Sequence, residues 1–294
     1  PPSSASPAAS GAGTALARVT LHGELDAAEV SLLGLKMKDM RAAVDLTNGR
    51  AHVGDLAVSL YGGSITGEAS ADLAAPGPPF DIKAKLQGVD FDSMAKDFSP
   101  DMAGLLFGSL DAGLDLRGTG TTRQDLRQAM EGNATFSLQN GKITSVGLLK
   151  NLAKALETAG GKGVGEEQTP FSFLGGSFDI RGGKARTQDL RLESTDLTMK
   201  GEGKLDMDLG VDLDLDSRLS PEASAAMVAQ RENLRFLEDN KERIRLDLHM
   251  GGTLIKPVVT VDPETIRRVL KNAAKERLKE GGLRDLFRKK KDGR

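Results

Sequence analysis

A pattern that occurs three times constrains the fold of this chain most strongly. Two apolar residues at alternate positions precede a glycine-containing turn and a basic residue, at 44–51, 136–143 and 178–185. The three turns are Asn48-Gly49, Asn140-Gly141 and Gly182-Gly183. Asn-Gly and Gly-Gly pairs adopt the positive φ values that a two-residue hairpin turn requires, and alternation marks a strand with one apolar face. The sequence therefore predicts three β-hairpins.

The first and third copies extend into a longer match without gaps, between 44–73 and 178–207. The identical pairs are Asp45/Asp179, Gly49/Gly183, Ala51/Ala185, Asp55/Asp189, Leu56/Leu190, Gly67/Gly201, Glu68/Glu202 and Asp72/Asp206. An internal repeat of this kind normally builds an elongated surface by stacking one unit on the next. The pattern is typical of a scaffold more than of a catalyst.

Composition narrows the class of function. The 294 residues include 35 glycines but only one Tyr, no Trp and no Cys. A nucleic-acid surface usually interleaves aromatic and basic residues, so we expect no nucleic-acid partner. The absence of Cys excludes disulfides, thiolate nucleophiles and Cys-ligated zinc.

The net charge of −2 conceals an uneven distribution. Residues 264–294 contain twelve Lys or Arg against five Asp or Glu, a balance of +7, so the remaining chain carries −9. A basic arm that includes Lys289, Lys290 and Lys291 suits an anionic membrane or an acidic partner, although such arms are more often simply solvated.

The two ends of the chain read differently from its body. Residues 1–15 are rich in Pro, Ser, Ala and Gly and are predicted to be a flexible linker. No apolar run approaches the roughly 20 residues that span a bilayer. The first residue is Pro1, so we expect any membrane anchor to lie upstream.

Between these ends, residues 16–262 predict a β-rich domain, and 263–294 predict a basic helix and tail. Helical periodicity interrupts the strands at about 91–107, 121–130, 147–159 and 220–240. The predicted fold class is therefore mainly β with α-helical inserts (α+β), an antiparallel sheet built from repeated hairpin units.

The clearest alternation lies between residues 205 and 216. One face carries Leu205, Met207, Leu209, Val211, Leu213 and Leu215, and the other carries Asp206, Asp208, Asp212, Asp214 and Asp216. Paired carboxylates could bind calcium or act as acid and base. Strict alternation instead favours a solvated strand face that discourages edge aggregation.

Other catalytic and metal-binding patterns are missing from the sequence. His22, His52 and His249 are isolated within strand patterns, where ordinary strand positions are the simpler interpretation. There is no Gly-x-Ser-x-Gly motif and no phosphate-binding loop, and Gly118-x-Gly120 lacks the third glycine of a dinucleotide site. The sequence predicts neither an enzyme nor a bound cofactor or metal.

The apolar strand faces need a cover, which can be helices, a second sheet or a ligand. One interpretation is a closed core formed by the sheet and the few helices. The other is an open groove that accepts acyl chains. The residues alone leave both open, with the closed core as the simpler solution.

The order of several motifs resembles the C-terminal region of the AsmA family, relatives of TamB. These motifs are Tyr61-Gly62-Gly63, Leu86-Gln87-Gly88-Val89-Asp90, Gly108-x-Leu110 through Gly118-x-Gly120, Gly132-x-Ala134-x-Phe136-x-Leu138 through Ile143, Phe171 through Gly183, and Gly252-Thr253-Leu254-x-x-Pro257. Each is weak by itself, but their order and spacing are specific. The resemblance spans roughly residues 16–262.

This resemblance implies a long, curled β-sheet with a hydrophobic groove, in a Gram-negative envelope protein. It implies a periplasmic location and an inner-membrane anchor formed by an N-terminal helix that the sequence lacks. It further implies support of phospholipid transport between the inner and outer membranes and of outer-membrane biogenesis. Phospholipid acyl chains and envelope proteins are the implied partners, and the family supplies no catalytic residues.

Combining the resemblance with the alternation gives a set of residues predicted to line the lipid groove. They are Val44, Leu46, Phe136, Leu138, Phe178, Ile180, Leu205, Met207, Leu209, Val211, Leu213 and Leu215. One alternative is a non-enzymatic assembly or scaffold factor for outer-membrane proteins that acts by strand pairing. A second is a carbohydrate-active enzyme on a β-solenoid, with the aspartates of residues 206–216 at its centre.

Overall fold

The computed structural model describes residues 19–32, 34–144, 168–206, 208–230 and 232–265, with the single residues 267 and 271. Four predictions therefore fall wholly or mostly outside the described residues. They are the linker at 1–15, the helical insert at 147–159, the groove residue Met207 and the basic segment 263–294.

Within the described residues, thirteen strands form one open, curled antiparallel sheet in which strand order follows chain order. The strands are β1 (Thr20–Leu32), β2 (Leu35–Thr47), β3 (Arg50–Leu60), β4 (Gly63–Asp72), β5 (Pro79–Asp90), β6 (Leu106–Thr119), β7 (Glu131–Ile143), β8 (Thr169–Arg181), β9 (Lys184–Glu193), β10 (Leu197–Asp206), β11 (Val211–Leu219), β12 (Arg245–Gly252) and β13 (Pro257–Val261). The mainly β fold class with a curled antiparallel sheet is confirmed.

Short helices occupy some of the connections. They are α1 (Phe91–Phe98), α2 (Arg123–Ala129) and α3 (Pro221–Gln230), with 3₁₀ turns at Pro100–Met102 and Glu232–Leu237. Helix α1 begins after Asp90, whose carboxylate accepts a hydrogen bond from the Ser93 amide at 2.9 Å. Such N-capping satisfies an amide that the helix itself leaves unpaired.

Two of the three predicted hairpin turns are confirmed, and one is wrong. Asn48-Gly49 joins β2 to β3 and Gly182-Gly183 joins β8 to β9, all with positive φ. Asn140 also has a positive φ of 50° but lies inside β7, where it adds one residue relative to β6. An asparagine in the left-handed region serves a β-bulge as well as a turn. The chain therefore continues straight through this motif.

A smaller difference concerns the connection of β3 to β4. The turn residues are Tyr61 and Gly62, with φ values of 44° and 81°, and Gly63 already begins β4. A side chain on Gly63 would lie 2.3 Å from the carbonyl oxygen of Gln87. This glycine is therefore required by close strand approach, and its neighbours form the turn.

The internal repeat is also a structural repeat. The ungapped alignment places β4 on β10 residue for residue, and it places the bulge between Val53 and Leu56 on the bulge between Thr187 and Leu190. Bulges increase the local twist and bend the strand that carries them. The repeated unit therefore includes the device that curls the sheet.

Strand register places the apolar residues of all thirteen strands on one face, called here the apolar face. Toward one end of the strands, a row of this face is closely packed, and we call it the sealed row. Its buried members are Met37, Leu60, Val89, Leu110, Leu138, Leu192, Met199 and Leu246. Phe91 and Met94 of α1 pack against the same cluster. The core thus lies under α1 and runs across the strands.

Candidate functional site: an apolar trough

The groove residues predicted from the sequence lie together on the apolar face. Val44 faces Val53, Phe136 faces Ala112 and Ile180 faces Ala185 across neighbouring strands. Leu205 faces Val211 in the same way. Directly opposed residues of an antiparallel pair share one face. The exception is Leu209, which has φ 63° and lies in the turn between β10 and β11.

Burial divides these residues into two groups. Val44, Leu46, Phe136, Phe178, Ile180 and Leu205 are half-buried. Leu138, Val211, Leu213 and Leu215 are buried, with at most 5% of their surface exposed. The buried group packs within the protein in this structure, whereas the half-buried group lines a surface that an external molecule can reach. Contact of any of them with lipid stays a prediction.

The half-buried residues belong to a larger surface on β1–β8, which we call the trough. Its side chains are Leu21, Leu25, Val44, Leu46, Val53, Leu56, Ile65, Ala69, Phe80, Ile82, Ala84, Leu86, Ala112, Leu114, Leu116, Ala134, Phe136, Phe178 and Ile180. None of these side chains carries a hydrogen-bond donor or acceptor. Eight strands span seven gaps of about 4.8 Å, so the trough is about 34 Å long.

Sequence reasoning missed much of this surface. Leu21, Leu25, Ile82, Leu114 and Leu116 lie on it but were not among the predicted groove residues. Each stands in an alternating strand pattern, and that signal could have found them. The selection favoured strands of the recurring hairpin motif, whereas register gives every strand of the sheet an equal place.

A glycine lets one aromatic ring lie across the trough floor. Phe80 faces Gly118 on the next strand. A Cβ atom on Gly118 would lie 2.7 Å from the Phe80 ring, which is closer than real Cβ contacts allow. The missing side chain therefore gives the ring its place and keeps the surface continuous.

A second aromatic contact lies at the β7–β8 end of the trough. The rings of Phe136 and Phe178 stack with centroids 5.7 Å apart and an interplanar angle of 16°. Both rings are half-buried. Stacked rings of this kind form a stiff apolar ridge.

A polar clasp holds α1 over the sealed row. The Tyr61 hydroxyl accepts a hydrogen bond from the Lys36 amide at 3.0 Å and donates one to Asp97 at 2.7 Å. The Lys36 ammonium lies 3.1 Å from the same carboxylate. Burial raises the pKa of Tyr61, and the hydrogen bond from Tyr61 lowers the pKa of Asp97. Because Asp97 is in α1, these contacts tie the helix to β2 and to the β3–β4 turn.

The apolar face changes character beyond β8. Leu213, Leu215, Leu246 and Leu248 are each less than 5% exposed. Residues of α3 and of the 3₁₀ turn Glu232–Leu237 join the same cluster, namely Ala223, Met227, Val228, Leu234 and Leu237. This part of the sheet is a packed core.

The aspartates of residues 206–216 lie on the opposite, polar face. Asp212 lies 2.8 Å from the Lys204 ammonium, which lowers the pKa of its carboxyl, and Asp214 lies 2.9 Å from Nδ1 of His249. Asp216 lies 3.2 Å from Arg245. The sequence pattern suggested water as their partner, and the structure adds these cross-strand basic residues, which only pairing could reveal.

Two further searches concern the described residues only. Among them, no group of three or more His, Cys, Asp or Glu side chains could hold a metal ion. No helix in this part of the chain is long and apolar enough to cross a membrane.

With this geometry established, comparison with known proteins gives one match. The model of the AsmA family matches residues 18–190, which is more than half of the chain. The chain belongs to the AsmA family. No curated protein and no solved structure matches it.

AsmA family proteins are envelope-associated, and membership suggests a role in envelope lipid transport and biogenesis. The AsmA family is a lipid-transport and assembly family that is not known as enzymatic. The matched residues include β1–β8 entirely and end within β9. The AsmA match therefore coincides with the trough and leaves out most of the packed core beyond it.

Proposed function

We propose that the trough holds phospholipid acyl chains and supports phospholipid transport between the inner and outer membranes, and thereby outer-membrane biogenesis. One observation carries the proposal: an apolar surface about 34 Å long is half-exposed and has no polar side chain. A hydrocarbon chain is the ligand that such a surface suits best, because it asks for no hydrogen bond in return.

The energetics suit a carrier that works passively. Each methylene that leaves water is worth about 0.8 kcal/mol, so an acyl chain is retained in the trough. Neighbouring positions offer the same chemistry, so the chain can slide with little change in free energy. Head groups would remain at the strand ends, where charged pairs such as Arg50–Asp72 and Arg117–Glu131 lie. Direction would come from another component, because the sequence has no nucleotide-binding motif.

The proposed location is the periplasm of a Gram-negative cell, with an inner-membrane anchor supplied by an N-terminal segment upstream of Pro1. The support is the envelope association of the AsmA family. Expression of the full-length protein, followed by cell fractionation and protease access from the periplasmic side, tests this placement. Protection from the protease in intact spheroplasts would contradict it.

Two measurements test lipid carriage directly. Lipids extracted from the purified protein and identified by mass spectrometry should be phospholipids, in a stoichiometric amount. Transfer of a fluorescent phospholipid between vesicles should fall strongly for Ile82→Asp and Leu116→Asp, whose side chains face one another in the trough. Thr66→Asp, at an exposed position on the polar face, is the matched control and should transfer normally. Equal rates for all three variants would contradict the proposal.

A second candidate, assembly by strand pairing, is favoured by the β1 edge. β1 has 13 residues and pairs on one side only, whereas the opposite edge strand, β13, has five residues and begins with Pro257. Long unprotected edges accept further strands. Glu24, Asp26 and Glu29 make an alternating Lys/Val peptide the suitable probe and an alternating Glu/Val peptide its control. Protection of β1 amides from hydrogen exchange by the Lys/Val peptide alone would support pairing, and no protection would exclude it.

A further inference from the structure

The trough does not keep its width along the sheet. Over β1–β7, four successive residues of the apolar face on each strand are open or half-buried, apart from Ala42 and Val58. Immediately beyond the stacked Phe136 and Phe178, Thr187 is only 3% exposed. Ile180 and Leu205 remain half-buried, and Val211, which faces Leu205, is 5% exposed. The open surface therefore narrows to one residue per strand at the aromatic pair and then ends.

The closure is built from packed side chains, not from one loop. Gly201 is buried between Leu215 and Leu190, and a Cβ atom there would lie 2.7 Å from the Leu215 side chain. Leu234 and Leu237 pack into the same cluster from the other side. A hydrocarbon chain that reached this point would have to displace well-packed groups. Such a core has no free volume for it.

We infer that the trough is blind at the β9–β13 side, so acyl chains enter and leave over β1–β6. The ridge of Phe136 and Phe178 sets its inner end. This inference rests on the proposed function, and it changes the role of the segment. The region acts as the terminus of a lipid path where tails are taken up or released, and lipid does not pass onward beyond β13.

The chemistry of the trough also identifies its occupant. A packed helix or strand from another protein would bring backbone amides and carbonyls that need partners. The trough side chains have none to offer, so such a partner would be left with unsatisfied groups. The acyl chain of a phospholipid has no such requirement, and its head group stays outside the trough.

A crosslinking scan separates this inference from the proposed function. Benzoylphenylalanine replaces Leu46, Ile82 and Leu116 inside the trough, and Met250 and Val259 on the half-buried apolar face beyond the packed core. The full chain is irradiated with vesicles of phosphatidylethanolamine and phosphatidylglycerol, and adducts are detected by mass spectrometry. Lipid adducts at the first three positions alone are expected. Adducts at Met250 or Val259 as well would overturn the blind end, and no adduct anywhere would overturn lipid carriage itself.

The aromatic ridge is tested in the same assay. Phe136→Ala combined with Phe178→Ala should extend lipid adducts to a probe at Leu205, which is expected to give none in the parent protein. Phe178→Leu keeps an apolar side chain of similar reach and should leave the parent pattern. Phe98→Ala, at a residue of α1 that is 57% exposed, is the matched control. Should Leu205 react equally in all four proteins, the ridge does not set the inner end.

Discussion

The two halves of the sheet use one strand pattern for different purposes. In β1–β8, apolar side chains of the face are mostly half-buried and line the trough. In β9–β12, equivalent side chains such as Leu213, Leu215 and Leu248 are at most 4% exposed. Alternation is at least as regular in the second half as in the first. Alternation therefore determines which face is apolar, but the elements packed on that face determine whether it is a core or a binding surface.

The repeat makes this comparison direct. The units around β3–β4 and β9–β10 share their bulge and their register. Gly67 in the first unit is half-buried, and its counterpart Gly201 is buried beneath Leu215. The same local structure was therefore placed once in an open surroundings and once in a packed one. The AsmA match follows the same division, because it covers β1–β8 and stops within β9.

The largest difference is expected for matched leucine truncations in the two halves. Leu213→Ala, at a residue 3% exposed, should lower the free energy of unfolding by about 2–5 kcal/mol because it leaves a cavity. Leu46→Ala, in the half-buried trough, should cost less than about 1.5 kcal/mol, since solvent fills the space. Urea denaturation followed by circular dichroism measures both. Equal costs would contradict the division into core and trough.

A buried hydroxyl offers a test within the packed half. Ser217 is 1% exposed, lies between Met199 and Leu246, and its hydroxyl has no hydrogen-bond partner. Removing an unpartnered buried hydroxyl relieves a desolvation cost of about 1–3 kcal/mol. Ser217→Ala should therefore raise the free energy of unfolding by about 1 kcal/mol, on this basis and after the loss of packing. The control Ser59→Ala, on the exposed polar face, should change it little, and destabilisation by Ser217→Ala would show that the hydroxyl is needed.

Equivalent aspartates of the repeat should differ less. Asp189 accepts hydrogen bonds from the Ser177 amide and hydroxyl, both at 2.7 Å, whereas no hydrogen bond to the Asp55 carboxylate is found among the described residues. Asp189→Asn should cost about 1 kcal/mol, and Asp55→Asn close to nothing. Similar costs in thermal unfolding would mean that the bulge, and not its hydrogen bonds, sets the stability.

The pH dependence of this pair has a defined sign. The hydrogen bond from the Ser177 amide lowers the pKa of Asp189 below its ordinary 3.8. A lowered folded-state pKa stabilises the protein above the ordinary value, and this contribution is lost as pH falls through the lowered one. The gap in unfolding free energy between the parent and Asp189→Asn should be full at pH 6 and shrink below pH 3.8. A gap independent of pH would exclude this cause.

The smallest effect is expected on the polar face. Asp208→Asn, Asp212→Asn and Asp214→Asn together remove three carboxylates, of which two form half-exposed ion pairs. Exposed pairs contribute about 0–1 kcal/mol each, so the fold should persist and phospholipid transfer should be unchanged. The same variant separates the carrier from the carbohydrate-active alternative. Abolished cellular function with intact lipid transfer would favour that alternative.

Much of the fold could be predicted because turns and alternation are local signals. The two-residue turns at Asn48-Gly49 and Gly182-Gly183 and the repeat both follow from the sequence. Asn140-Gly141 was misread because a left-handed asparagine suits a turn and a bulge equally, and only the pairing of β7 with β6 and β8 decides.

The site could be predicted only in part, for a physical reason. The sequence identified the correct face, since period-two alternation fixes the direction of each side chain. It could not separate Leu46 from Leu213, because burial depends on α3 and on packing from residues distant in sequence. The clasp of Lys36, Tyr61 and Asp97 was missed for the same reason.

The measurement that tests the account most directly uses the absence of cysteine in the chain. Single-cysteine variants Ile82→Cys and Leu215→Cys report on the trough and the packed core, and their rates of reaction with a maleimide are compared with and without phospholipid vesicles. The account predicts fast labelling at position 82 that phospholipid suppresses, and slow labelling at position 215 that phospholipid does not change. Equal labelling at both positions, or no protection at position 82, would contradict it.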